Sequence, residues 1–188
     1  MRVIVGCEFS QIVTKAFRNK GHDAFSCDYL PTEGNPAWHF QEDIFEVLKR
    51  EKFDLGIFHP QCTYLAVSGA KWMNIEWRQE AQLSTLFFVK ALWKFPIDRI
   101  AIENPVGKLS SLWRSPDQII EPYHFGDPHK KSTCLWLKNL PPLQKTNDLG
   151  GGQQTCWKEP PSTERQKNRS RTYKGIANAM AEQWGGLI

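Results

Sequence analysis

The feature that most constrains this chain is a repeating alternation between short apolar runs and longer segments of helical periodicity. Residues 2–7 form the first apolar run. Residues 11–20 follow with Ile12, Ala16 and Phe17 apolar and Lys15, Arg18 and Lys20 polar, which is the spacing of an amphipathic helix. Ser10 stands where an N-cap is expected, and Gly21 stops the helix. Residues 24–27 read as a second strand ending at Asp28, before a Pro/Gly-rich loop over 31–36. Asp43 is placed to cap a helix over 44–51, with Ile44, Val47 and Leu48 on one face. Leu55–Phe58 is the next strand, stopped by His59-Pro60, and a loop runs to about Asn74. The spacing predicts a helix over Glu76–Lys94, with Ala81, Leu83, Leu86, Phe87 and Leu92 as its apolar face. Residues 99–102 form a strand ending at Glu103-Asn104-Pro105, 133–137 a late strand, and 176–184 a closing helix. Strands and helices alternating every 20–30 residues or so predict βαβ units: an α/β, Rossmann-like, mostly parallel sheet.

A chain of 188 residues is long enough for one buried core and no second one, so a single domain is expected. No apolar run approaches the roughly 18 residues that span a bilayer, and the opening stretch at Val3, Ile4 and Val5 is too short for a signal peptide. Five scattered cysteines, with no CxxC pair, fit a reducing compartment better than a disulfide framework. A cytoplasmic location is therefore expected, with no membrane association. No Cys or His pair has ligand spacing, so no metal site is expected.

In open parallel sheets ligands bind beyond the carboxyl ends of the strands. Glu8, Ser10, Asp28, Pro60, Cys62 and Glu103 all fall there. Cys62 reads either as a small buried hydrophobe or as a nucleophile activated by nearby positive charge. Glu103 ends an apolar strand, where burial of an unpaired carboxylate raises its pKa and suits it to donate to a heterocycle; the alternative is a hydrogen-bonded loop residue. Asp28 stands where nucleotide-binding sheets place the acid that takes ribose hydroxyls. Trp38, Trp72, Trp77 and Trp113 lie near loops, where they serve either as stacking platforms or as core. The net charge of +4 is concentrated: Lys158, Arg165, Lys167, Arg169, Arg171 and Lys174, against Glu159 and Glu164, carry the whole excess. That stretch reads as a phosphate-contact segment or as a solvated loop.

The order of these motifs resembles that of the DNA cytosine-C5 methyltransferases. Phe9-Ser10 is similar to the phenylalanine of the family's cofactor loop, Asp28 to its ribose-binding acid, and Asp43 to the aspartate that meets the adenine amine. Pro60-Gln61-Cys62 resembles the Pro-Pro-Cys nucleophile motif, and Glu103-Asn104-Pro105 the Glu-Asn-Val motif. Phe125-Gly126-Asp127-Pro128 with the basic residues after it resembles the Gly-x-Pro-Gln-x-Arg-x-Arg segment, and residues 175–180 the late Gly-Asn motif, with Asn178 at its asparagine. The resemblance implies S-adenosylmethionine as cofactor, held by Phe9, Ser10, Asp28, Asp43, Pro60 and Asn178. It implies Cys62, Glu103 and Asn104 as catalytic residues, and Lys130, Lys131, Arg165, Lys167, Arg169 and Arg171 as contacts to DNA. It is closest to the small methylase-like proteins carried by phages and prophages. Two glycines of the family's cofactor loop are replaced here by Gln11 and Val13, and Lys131 and Thr133 replace the paired arginines. Residues 1–138 and 170–188 are expected to form the catalytic domain. Only 139–169, a short Pro/Gly-rich basic loop, stands in place of a target-recognition domain. This leaves room for duplex DNA recognised with a partner subunit, for a single strand or free nucleotide as substrate, and for a non-catalytic binding protein.

Overall fold

The computed structural model describes residues 1–66, 75–154, 162 and 164–187. Its strands are β1 (Arg2–Gly6), β2 (Asp23–Cys27), β3 (His39–Phe40), β4 (Leu55–Phe58), β5 (Arg99–Pro105), β6 (Gln118–Ile120) and β7 (Thr133–Lys138). The helices are α1 (Ile12–Asn19), α2 (Ile44–Arg50), α3 (Glu76–Lys94), α4 (Leu109–Leu112), α5 (Arg165–Ser170) and α6 (Lys174–Gly185). The strands form one seven-stranded sheet in the order β3-β2-β1-β4-β5-β7-β6, parallel except where β7 runs against β5 and β6. This is the single-domain α/β, mostly parallel sheet expected from the alternation.

The period-two placement of side chains divides the core into two layers. Val3, Val5, Ile57, Ala101, Leu135 and Leu137 face one side and pack with α1 and α6. Ile4, Phe58, Ile100, Ile102, Cys134 and Trp136 face the other and pack with α2 and α3. A parallel strand covered on both faces is apolar throughout, which is why β1 and β4 read as unbroken apolar runs. Phe58 lies flat because both flanking positions lack a side chain: a Cβ on Gly6 or Gly56 would stand 2.6 or 2.7 Å from its ring.

Several elements depart from the sequence expectation. Glu103, Asn104 and Pro105 belong to β5 rather than to a loop after it, because β7 pairs with them in antiparallel register, Asn104 opposite Cys134 and Pro105 opposite Thr133. The short strands β3 and β6, and helices α4 and α5, have too few residues to show a period. On α3 the buried face is Leu86, Val89 and Leu92, whereas Leu83 and Phe87 are exposed. Those two lie one turn apart on the same side of the helix, away from the sheet-facing stripe. The stretch after β7 is not independent of the core: Leu140 and Leu143 are buried in the layer shared with α6. Trp72, Cys156 and Lys158 lie outside the described residues. Cys7, Cys27, Cys62 and Cys134 are all free thiols. Among the described residues, no helix is long and apolar enough to cross a membrane, and no cluster of potential metal ligands occurs.

Candidate active site

The strand order reverses between β1 and β4, and the residues after these two strands meet there. The His59 amide donates to the Gly6 carbonyl at 3.0 Å, holding the two strand ends together. After β1 the chain turns sharply, with Cys7 and Gln11 in the left-handed region at φ of 61° and 57°. Gln11, not Ser10, occupies the N-cap position of α1. Ser10 Oγ sits 3.5 Å from the Ile12 amide, at the outer limit of a hydrogen bond. The buried Glu8 carboxylate does the capping instead: Oε1 accepts from the Val13 amide at 2.6 Å, and Oε2 from the Thr14 amide and hydroxyl at 3.2 and 2.7 Å. A negative charge there also meets the positive end of the helix. The Gln11 side chain is fully buried and bonded to Ser26 and to both backbone groups of Asn35.

The expected cofactor residues fall into separate places. Phe9 is buried, with the Arg171 guanidinium 5.6 Å above its ring. Arg171 also pairs with Glu33, whose amide donates to the Phe9 carbonyl. Asp28 ends β2, and burial pushes its carboxyl up although the Leu30 amide bonds to it. Asp43 caps α2 through the Phe45 amide, and the Tyr29 hydroxyl on its other oxygen holds its pKa below the usual carboxylate value. The Pro60 carbonyl accepts from Asn104 Nδ2 at 2.9 Å. Asn178 lies on the exposed face of α6, while neighbouring Ile176, Ala177 and Ala179 are buried.

The catalytic candidates do converge. Glu103 Oε2 lies 2.8 Å from His59 Nδ1, with the two side chains 14% and 8% exposed. A carboxylate only accepts, so His59 donates Nδ1–H and its other nitrogen faces elsewhere. Burial pushes the Glu103 carboxyl up, but the hydrogen bond from His59, with Lys131 nearby, outweighs it and holds the pKa below the usual value. This corrects the expectation that burial alone makes Glu103 a proton donor: its histidine neighbour keeps it an anion. Cys62 is half-buried, and burial together with the Glu103 charge pushes its thiol up; Lys131 and Arg169 oppose this without cancelling it. The shift keeps Cys62 a thiol at rest, so the nearby positive charge does not by itself activate it.

Of the expected phosphate contacts, Lys131 and Arg169 are turned inward on this site. Lys131 Nζ donates to the Arg169 carbonyl at 2.8 Å and stands 5.8 Å over the Tyr173 ring. Lys167 pairs with Glu164, Lys130 is exposed, and Arg165 begins α5. Two small cavities result. One is lined by Cys7, Glu8, Phe9, Ser10, His59, Ser170 and Thr172 and is open to solvent. The other, also open, is lined by Glu103, Lys131, Thr133, Thr172, Tyr173 and Ile176. The His59–Glu103 pair stands between them. Buried polar atoms without a hydrogen-bond partner gather at this edge too: His59 Nε2, Asn104 Oδ1 and Arg169 Nε. Glu8 was placed at the ligand-binding end of its strand from sequence but given no role, and His59 was not singled out; the signal available for His59 was its position between an apolar strand and Pro60.

No protein-family model matches the chain, and no curated protein matches it. In fold it is similar to a prophage-encoded chain of E. coli described as a DNA modification methyltransferase, at 15% identity and a TM-score of 0.48. That match covers 73% of this chain and 46% of the other. It is also similar to the Dnmt2 methyltransferase of S. pombe, at 15% identity and a TM-score of 0.46, covering 76% of this chain and 51% of that one. The chain thus spans about half the length of the structures it resembles. At this level the likeness reaches neither activity nor substrate.

Proposed function

We propose that this chain is an S-adenosylmethionine-dependent methyltransferase acting at C5 of cytosine in DNA, with Cys62 as nucleophile. The observation that carries the reading is that Cys62 follows β4 while Glu103 lies in the adjacent parallel strand β5, its charge acting on the thiol, beside a hollow over the β1–α1 turn.

The residues fit the cofactor in charge. Glu8 lines the cavity over the turn, and Asp28 and Asp43 act on Cys7 strongly enough to help push its thiol up. This electronegative rim suits a cationic sulfonium bearing an adenosyl group, with Asp28 beside the ribose, Asp43 towards the adenine amine, and Phe9 and Ser10 on the turn. When bound, S-adenosylmethionine supplies an electrophilic methyl group.

The chain's own residues then divide the work. Cys62 loses its proton to solvent and adds through sulfur to C6 of the base, which makes C5 nucleophilic. Glu103 has one oxygen on His59 and the other towards the base, where as an anion it accepts from the exocyclic amine. Asn104 fixes the Pro60 carbonyl and so the start of the nucleophile loop. Lys131 and Arg169 favour the thiolate and neutralise phosphate near the site. A duplex substrate must present the base flipped out of the stack. Exposed Lys130, together with Lys167 and Arg171, lies on the segments that would meet the backbone.

Two observations favour a second reading, a non-catalytic binder of nucleotide or nucleic acid: burial and Glu103 keep Cys62 a thiol, and Arg171 covers Phe9. Transfer of labelled methyl from S-adenosylmethionine to duplex DNA, single strands, RNA and free cytosine nucleotides separates the two. Label at cytosine C5 that disappears in Cys62→Ser is expected; cofactor or nucleic-acid binding without transfer to any of them would replace the first reading by the second. Transfer only to single strands or nucleotides would move the substrate and keep the chemistry.

A further inference from the structure

We propose that His59, oriented by Glu103, is the general base of this site and removes the C5 proton from the base held by Cys62. The inference rests on the methyl-transfer reading and adds a residue to it.

The position supports it first. His59 follows β4 and its side chain is 8% exposed. It lines the cavity over the β1–α1 turn, while its partner Glu103 lines the adjoining one. A methyl donor over the β1–α1 turn and a base held beside Glu103 would adjoin this pair, which puts His59 within reach of C5.

The second support is the hydrogen-bond inventory. With Nδ1–H given to Glu103, Nε2 carries the lone pair, and this atom is buried with no partner. The ordering of base by carboxylate is that by which a third group fixes the tautomer of a catalytic histidine. The other titratable groups around the two cavities are occupied. Both Glu8 oxygens cap α1. Cys7 is pushed up by burial and by the carboxylates of Asp28 and Asp43. Lys131 is a cation bonded to the Arg169 carbonyl. Cys62 is committed to C6, and Glu103 to His59 and the exocyclic amine.

The step balances without a further reagent. The C5–H bond breaks and its proton goes to Nε2. Its electron pair forms the C5–C6 double bond, and the Cys62–C6 bond breaks with its pair on sulfur. The imidazolium, held against the Glu103 carboxylate, returns the proton to Cys62, restoring the thiol that burial favours.

Two substitutions separate a base from a spacer. His59→Asn places an amide donor where Nδ1–H was, so the bond to Glu103 is kept and the proton acceptor is lost. His59→Gln extends its amide to the Nε2 position and gives up the Glu103 bond. The full-length protein is mixed, without cofactor, with DNA tritiated at cytosine C5, so that a solvent proton adds to C5 of the adduct in place of the methyl group before the tritium leaves. Release of tritium to water is followed alongside the denaturant-stable adduct to Cys62. Both variants should still form the adduct and release tritium at least about 100-fold more slowly, the smaller end of what a positioned base supplies. Release near the wild-type rate in His59→Asn would overturn the proposal and leave His59 as a prop for Glu103. Loss of the adduct in both variants would also overturn it, by placing His59 before the addition step. The underlying reading fails differently, with the wild-type protein forming no adduct, or with Cys62→Ser releasing tritium as fast as wild type.

Discussion

Removing the Glu8 carboxylate should cost more stability than any other single change in the first turn of α1. Its oxygens accept from two backbone amides and one hydroxyl, and Val13 and Thr14 are fully buried. In Glu8→Ala the hydroxyl rotates to a backbone carbonyl, as helical threonines do. The two amides find no replacement. An orphaned buried donor costs about 1–3 kcal/mol, and the lost interaction with the helix N-terminus adds about 0.5–1 kcal/mol. For the two amides the sum is about 2.5–7 kcal/mol. In a domain of this size each kcal/mol moves Tm by about 2–4 °C, so a fall of roughly 5–28 °C is expected. Glu8→Gln keeps one carbonyl acceptor and should lose about half as much. Ser10→Ala is the contrast, because a contact at 3.5 Å contributes little; its effect should stay within about 0.5 kcal/mol. Thermal melts followed by far-ultraviolet circular dichroism, checked by urea titration, measure all three. A loss below about 3 °C in Glu8→Ala, or an equal loss in Ser10→Ala, would refute the assignment of the cap to Glu8.

Three further outcomes are expected. Gln11→Gly relieves the left-handed backbone by about 1 kcal/mol but abandons three buried hydrogen bonds of the glutamine side chain, so it should destabilise by a net 1–2 kcal/mol or so in urea titration. Burial pushes the Cys27 and Cys134 thiols up to about 12 and about 11, above the 9.0 of a free thiol. Raised values give stability that is complete below the unfolded pKa and lost as pH rises. The urea midpoint should therefore fall from about pH 9 upward, and Cys27→Ala should flatten that decline. Arg171→Ala breaks an exposed pair with Glu33 and should change stability by less than about 1 kcal/mol. If Arg171 reaches phosphate, the same variant should lower the slope of log affinity for DNA against log salt by about 0.9.

The sheet was legible because its strands are buried on both faces, so β1, β4 and β5 appear as apolar runs whatever surrounds them. The two-residue β3 and three-residue β6 were not, since a period cannot show in so few positions. Cys62 and Glu103 were proposed from strand ends and motif order, and the sheet sets them on neighbouring strands. Their protonation states were missed because these depend on His59, Lys131 and Arg169, three side chains brought close by the sheet and by the packing of α5. The capping of α1 was misplaced by two residues because sequence favours the short Ser10 hydroxyl, whereas a longer carboxylate from Glu8 reaches the same amides around the turn.

The antiparallel pairing of β5 with β7 has a consequence for how this site can vary. Glu103 points to the layer of α6, and Asn104 to the opposite layer, because adjacent residues of a strand alternate. A slip of one residue against β7 would exchange them, presenting an amide to the cavity and burying a charge against Trp136 and Leu109. Single-residue insertions or deletions in β5 should be lost from any evolving lineage, while substitutions at either position remain available. This part of the site is free to change its chemistry but not its length.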